Sequence, residues 1–346
     1  MKRNYKKIFL LWIAASLFLF ASCGHMNPTS SNSSHLIILS TPSWEDNYYE
    51  DVMEDILDFQ AKYIEKIEEN SWEVVLLSSE KVAKKNKNIS TKAEVIWKPM
   101  VDIWIRDFSI VNPTSPVQFR YTPAWQWWYQ NESDFTQNRF NTLAKQAWLK
   151  FQKTELLLDG GNLVDNYKDK IVVSERFLTD NNLWKQEAKQ ILRETLDMNE
   201  IAIIPSDDTD GLAHVDGMVM FIEDDTIVVN QYQEPFRSEV LSELQESFTN
   251  INIVEIPANF DETIWDERFS SACWIYVNSV VTNDTIYLPV FEAETDQKVI
   301  DILKNHTSKK IVSVDASKVC KMWWSVRCLS LQLMWENKQK FLSYFK

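Results

Sequence analysis

The side chains able to do chemistry gather in four short segments of this 346-residue chain. The first, Asp102-Ile103-Trp104-Ile105-Arg106-Asp107, sets an Arg and an Asp in an apolar run that reads as a strand. Charges in such a run are rarely buried without partners, so the plain alternative is an internal Arg106–Asp ion pair. The second, Asp159-Gly160-Gly161-Asn162, uses two of only five Gly in one tight turn, as a close backbone approach would require. Its bland reading is an ordinary β-turn. The third runs from Asp208 to Gly217 and holds His214 and Asp216. On a strand those two would share a face, which suits a general acid/base beside a carboxylate. The fourth, Trp323–Cys328, ends in a Cys. A lone Cys is most often a buried small hydrophobe, a role that suits Cys273 and Cys320. One Cys with one His and several Asp makes a coherent set: a thiolate nucleophile, and paired carboxylates that accept a planar cation such as guanidinium bidentately.

These segments need a frame. Helical apolar spacing followed by a short apolar strand occurs five times: 47–67 with 73–77, 137–149 with 154–158, 183–197 with 201–204, 236–248 with 251–256, and 295–305 with 311–315. Hairpin-like segments lie between them, with turn centres near 113, 168, 224 and 284. The period of about 55–60 residues predicts five ββαβ-like units in one domain with few exposed edges. The fifth unit would close by pairing His35–Ser40 with a strand just after Cys328. An open α/β sheet is the simpler alternative.

Composition narrows the function classes. A net charge of −14 disfavours a nucleic-acid binder. The four His are scattered and the four Cys lack zinc-type spacing. At the N-terminus, Lys2, Arg3, Lys6 and Lys7 precede an apolar run from Ile8 to Ala21, too short to span a membrane and of signal-peptide length. Small residues then lead into Cys23, as in a bacterial lipobox. The expected organisation is a lipoprotein signal peptide at 1–22, a polar tether at 23–35 and the domain at 36–346. Lipidation at Cys23 would anchor the exported protein to the cell envelope. A plain secretory signal is the alternative. Three Cys then remain in the mature domain, an odd number that leaves at least one free thiol.

The order W-x-R-D, D-G-G-N, D-G-x-x-H-x-D, Y-x-N and a C-terminal Cys turn resembles the agmatine deiminase/bacterial peptidylarginine deiminase family. The likeness covers most of 36–335. It implies the pentein fold, a five-bladed α/β propeller of ββαβ units with pseudo-fivefold symmetry. It also implies guanidine hydrolysis without metal or other cofactor, on peptidyl-arginine or agmatine, leaving a ureido product and ammonia. Carried over, Cys328 attacks the guanidinium carbon, His214 moves protons, and Asp107 and Asp216 grip the nitrogens. Trp104 would pack on the substrate, Asp159 would orient the His, and Asn278 would line the pocket. The runner-up is a catalytically impaired pentein acting as a surface binding lipoprotein; an amidine-transfer enzyme is third.

The sequence departs from that family in two places. Arg327 stands where His commonly precedes the Cys, and Trp323-Trp324 replaces a Gly-Gly pair. The chain has 15 Trp and 5 Gly, against about 7% Gly in ordinary proteins. Trp274, Trp127 and Trp128 also fall in Gly-like slots, and Trp44, Trp72 and Trp265 in turn-like contexts. Some bacterial lineages read the UGA codon as glycine. These residues are therefore expected to be UGA codons translated by a code that reads them as Trp. A truly Trp-rich homologue is the alternative.

Overall fold

Buried apolar strands with no polar face organise the fold. The computed structural model describes residues 35–43, 47–70, 72–85, 94–123, 129–207, 212–258, 271–322 and 325–345, all within the unit Ser34–Lys346. The expected signal peptide, Cys23 and nearly all of the tether lie outside them, as do Trp44, Trp127, Trp128, Trp265, Trp323 and Trp324.

The first strand, β1 (His35–Ser40), is buried along its whole length. Helix α1 (Met53–Glu69) follows, its Met53, Ile56, Leu57, Tyr63, Ile64 and Ile67 buried at helical spacing. Glu54 and Asp55 open it and Lys66 lies in its last turn, each complementing the helix dipole. It returns the chain to β2 (Glu73–Ser78), which runs parallel to β1 with Leu36 opposite Glu73. After α2 (Glu80–Lys85), β3 (Glu94–Trp97) joins the far side of β2, also parallel.

The same plan recurs along the chain. After the short helix α3 (Ile105–Phe108), β4 (Val117–Arg120), α4 (Gln130–Gln146) and β5 (Gln152–Leu157) form a parallel pair. A single antiparallel bridge, Val111 to Val117, is all that forms of the expected hairpin at 103–121. Next come β6 (Val164–Asp165), β7 (Lys170–Ser174), α5 (Arg176–Asn181), α6 (Lys185–Leu196) and β8 (Glu200–Ile204). Then β9 (Val219–Glu223), β10 (Thr226–Asn230), α7 (Phe236–Ser247) and β11 (Asn252–Ile256) follow, and after them β12 (Val280–Val281), β13 (Thr285–Val290), α8 (Glu294–Lys304) and β14 (Lys310–Asp315). In each of these three sheets a first strand pairs antiparallel with the middle strand, which pairs parallel with the third. The last strand, β15 (Leu331–Met334), pairs antiparallel with β1, His35 opposite Met334, as expected. Helix α9 (Trp335–Phe345) follows it. Three sheets thus repeat one connectivity in full, the first sheet carries it through β15, β1 and β2 with β3 added, and the β4–β5 sheet keeps its parallel pair; in each the parallel strands need a crossover between them.

Cys273 and Cys320 correct the expectation of two buried thiols: they form a disulfide. Their loops lead to Asn278 and to the Cys328 turn, and the Ala272 amide donates to the Cys320 carbonyl at 2.7 Å. The bridge spans 47 residues. Replacing both Cys with Ala is expected to cost about 2–4 kcal/mol and to lower the melting temperature by roughly 4–10 °C. An unchanged melting curve would contradict this.

Three Trp adopt the left-handed backbone region that favours Gly: Trp148 (φ 56°), Trp274 (φ 63°) and Trp335 (φ 46°). Trp148 sits just past the end of α4. Its amide donates to the Lys145 carbonyl at 3.2 Å, and the Leu149 amide donates to the Ala144 carbonyl at 2.9 Å. That is the Schellman pattern, with Trp at the position Gly normally fills. Trp72, by contrast, is a buried aromatic whose ring meets His35 edge-on at 5.5 Å.

Candidate active site

The centre of the site is a piece of backbone. Gly160–Asn162 forms a 3-10 turn rather than the ordinary β-turn. A Cβ on Gly160 would run into the Arg106 carbonyl oxygen. A Cβ on Gly161 would lie 2.5 Å from His214 Nδ1, 2.8 Å from Asp107 Oδ1 and 3.2 Å from Asp216 Oδ2. Only Gly lets three ionisable side chains converge on one main-chain position.

Two local expectations are overturned. Asp107 lies on helix α3 and not on a strand. This turn aims Asp107 at the Gly161 amide, which donates to Oδ1 at 2.8 Å. Residues 215–217 are likewise a 3-10 turn entered from extended His214, so His214 and Asp216 meet by a turn and not by strand alternation. Nor does the plain alternative, an ion pair of Arg106 with a neighbouring Asp, form; Arg106 donates to the carbonyls of Gly160 and Leu163, each at 3.1 Å.

His214 Nε2 lies 3.1 Å from Asp159 Oδ2, and Nδ1 lies 4.0 Å from Asp107 Oδ1. Asp159 is buried, and it also accepts from Arg176 Nη1 at 2.9 Å and from the Thr122 amide at 3.0 Å. It is therefore held rigidly against the imidazole. Arg176 was not singled out from the sequence; its one signal is a cation directly after an apolar strand. It also donates to the Leu212 carbonyl and faces Asp180 at 3.1 Å.

Cys328 sits in a turn, and it is the free Cys among the described residues. Its Sγ lies 3.1 Å from Asn278 Nδ2 and 3.8 Å from Asp216 Oδ2. Asn278 does more than line a pocket. Its Oδ1 accepts from the amides of Arg327 (3.0 Å) and Cys328 (3.3 Å), and its Nδ2 also donates to the Asp216 carbonyl at 3.2 Å. One amide group thus locks the nucleophile turn to the turn that carries Asp216. Trp104 is buried, its indole N–H donating to the Tyr49 hydroxyl at 2.9 Å, which donates to Asp102 at 2.7 Å. Arg120 lies apart, paired with Asp134 at 2.9 Å.

Burial and like charge shape the protonation states. Burial pushes the Asp107 carboxyl up to about 7; His214 opposes this, while Asp159 and Asp216 reinforce it. Burial lowers His214, but Asp107, Asp159 and Asp216 outweigh it and raise the imidazole to about 9. Burial, then Asp216 and Asp107, push the Cys328 thiol well above its ordinary range. Burial raises Asp159, but Arg176 and His214 prevail and hold it below the usual carboxylate value. The site thus sets a neutral thiol and an imidazolium beside the buried carboxyl groups of Asp107, Asp159 and Asp216. Among the described residues no group of three His, Cys, Asp or Glu is arranged to hold a metal ion.

The sign of the pH effect follows. His214 titrates above its ordinary 6.5, so its stabilisation is complete below 6.5 and is lost as pH rises through about 9. Asp107, also raised, loses its contribution as pH rises through about 7. The melting temperature of the unliganded protein is expected to fall between neutral pH and about 9, and His214→Gln to remove the upper part of that fall. A flat profile in the parent would contradict these assignments.

The family comparison settles the lineage. The sequence profile of the Porphyromonas-type peptidyl-arginine deiminases matches residues 27–333. The chain belongs to this family. Membership places it among hydrolases that deiminate guanidine groups. Solved structures share its fold. An agmatine deiminase from C. jejuni superposes with a TM-score of 0.74 at 21% identity, covering 88% of this chain and 94% of that one. An agmatine deiminase of Enterococcus faecalis gives 0.70 at 15% identity, covering 87% and 93%. A putative arginine deiminase from Porphyromonas gingivalis gives 0.66 at 14% identity, covering 87% and 96%.

Proposed function

We propose that this family member deiminates the guanidinium of peptidyl-arginine or agmatine through a covalent intermediate on Cys328. The observation that carries the reading is the convergence of Asp107, His214 and Asp216 on Gly161, with the Cys328 sulfur 3.8 Å from Asp216. A substrate cation adds positive charge to the carboxyl groups beside the thiol. Seated between Asp107 and Asp216, it offsets the carboxylate field that keeps the thiol protonated, and a neighbouring cation favours the thiolate. The thiolate adds to the guanidinium carbon. His214, as imidazolium, gives a proton to one amino group, which leaves as ammonia, and a thiouronium remains. Neutral His214 then takes a proton from water, hydroxide adds to the same carbon, and the C–S bond breaks to release the ureido product. The hydroxyl proton returns to the Cys328 sulfur and restores the thiol, and the proton that the thiol released to solvent on substrate binding converts the ammonia to ammonium. Asp159 and Arg176 keep the imidazole oriented throughout.

The same proposal includes the cellular setting and the true covalent chain. Five sheets, each built on a parallel pair joined by a crossover, support a closed five-bladed pentein. The basic start, apolar run and Cys23 support an exported, lipid-anchored protein at the cell envelope, which favours arginine in peptides over a cytosolic amine. The left-handed Trp148, Trp274 and Trp335 support UGA codons read as glycine by the host. The test is ammonia release and ureido formation from agmatine, arginine and a blocked arginine peptide, using protein purified from its own host. Turnover of at least one substrate is expected. Tight substrate binding without turnover would favour the impaired binding lipoprotein instead, and neither binding nor turnover would overturn both.

A further inference from the structure

Arg327 raises a chemical puzzle. A site built to bind a guanidinium carries a guanidinium of its own beside the nucleophile. Arg327 is 4% exposed. Its Nη2 donates to the Leu163 carbonyl at 3.1 Å, the same oxygen that accepts from Arg106. Its Nε has no hydrogen-bond partner and lies 3.8 Å from Asp216 Oδ2. Its backbone amide is held by Asn278, so its direction is fixed by the nucleophile turn itself. On its other side lie Tyr167 and Asp165. Asp165 is buried, and neither of its carboxylate oxygens has a hydrogen-bond partner. Two buried guanidiniums, Arg106 and Arg327, thus balance two buried carboxylates, Asp165 and Asp216.

We propose that Arg327 is a positioning residue, whose guanidinium fixes the charge and place of the Asp216 carboxylate beside the Cys328 sulfur. The inference deepens the deiminase reading and rests on it for its turnover arm. Arg327 does not grip substrate: it would repel a cationic guanidinium, and its Nη2 is held by the Leu163 carbonyl. The groups facing Asp216 are His214, Arg327, Arg106, Cys328 and Asp107. Burial pushes Asp216 up, and His214, Arg327 and Arg106 oppose this. Burial prevails and the Asp216 carboxyl stands above its ordinary range; removing Arg327 takes away one of the three cations that limit that rise. Asp216 must be ionised to bind the substrate cation, so the acid limb of kcat/KM should move to higher pH.

The test compares the parent with Arg327→Met, Arg327→Lys and the double variant Arg327→Met/Asp165→Asn. The double variant restores the balance of buried charge and guards against a fold lost to the unpaired Asp165. Arg327→Met and the double variant are expected to move the acid limb up by about one pH unit or more, with recovery at alkaline pH. Arg327→Lys, which keeps the charge, should fall between them and the parent. A second readout needs no turnover: the pH at which iodoacetamide alkylates Cys328, followed by mass spectrometry of its peptide, should rise in the same order. If the parent turns over no guanidine substrate, the deiminase reading fails and the alkylation profile alone decides the role of Arg327. Folded variants with the parent's acid limb and alkylation profile would overturn the proposal. So would a lower KM in Arg327→Met, which would make Arg327 a competitor for Asp216 rather than its support.

Discussion

Replacing Cys328 with Ala is expected to lower kcat by about 10⁴-fold or more while substrate still binds. The reason lies in what each neighbour can and cannot do. Asp107, Asp216 and His214 can hold a guanidinium and move protons, but none is placed as an alternative nucleophile of comparable strength. Cys273 and Cys320 are joined in a disulfide and cannot substitute. Removing the thiol should leave the Asp107 and Asp216 carboxyl groups in place, and it removes a group whose own ionisation they oppose. Substrate affinity is therefore expected to persist. Equilibrium binding of agmatine or a blocked arginine peptide to Cys328→Ala, beside single-turnover kinetics, separates the two effects. Turnover that survives in the variant would remove Cys328 from the chemistry.

Protein made by its own host is expected to contain Gly at 148, 274 and 335. A residue with a Cβ in the left-handed region costs about 1–2 kcal/mol, and a bulky side chain there is a genuine outlier. Two of the indoles return little, since Trp148 is 77% exposed and Trp335 is 56% exposed; Trp274 is partly buried against the core, so its gain is the smallest. Gly in an ordered position gives back about 0.5–1 kcal/mol in chain entropy. The net gain from Trp→Gly is therefore between about zero and about 1.5 kcal/mol per site, centred on ~0.75, or about 2 kcal/mol for three well-separated sites. Tryptic peptides of the host protein should carry Gly at these positions, and the triple Gly variant should melt several degrees higher than the Trp form. Trp in the host peptides, or UGG codons in the gene, would end the idea.

The repeat was legible because each unit needs a crossover helix whose buried stripe has a clear period. The pair 183–197 with 201–204 corresponds to α6 and β8, and 236–248 with 251–256 to α7 and β11. The segments that carry the chemistry were legible in residue type but not in local shape. Asp107 read as a strand residue because its neighbours Ile103, Ile105 and Phe108 are all apolar; all three are buried, and a short helix buries them as well as a strand does. His214 and Asp216 read as strand partners because i, i+2 spacing says nothing about a 3-10 turn. Arg176 was invisible because its value lies in reaching Asp159 across 17 residues. The Cys273–Cys320 pairing was hidden because connectivity does not follow from spacing. Trp148 and Trp335 escaped notice because a left-handed position after a helix or strand has no residue signature once its Gly is written as Trp.

The most direct measurement is a rapid acid quench of the parent protein turning over a blocked arginine peptide or agmatine, followed by mass spectrometry of the Cys328 peptide. The expected result is a transient adduct on Cys328 that adds the mass of the substrate less one ammonia and is absent from Cys328→Ala. Product formation at full rate with no adduct on Cys328 would contradict covalent catalysis at this site.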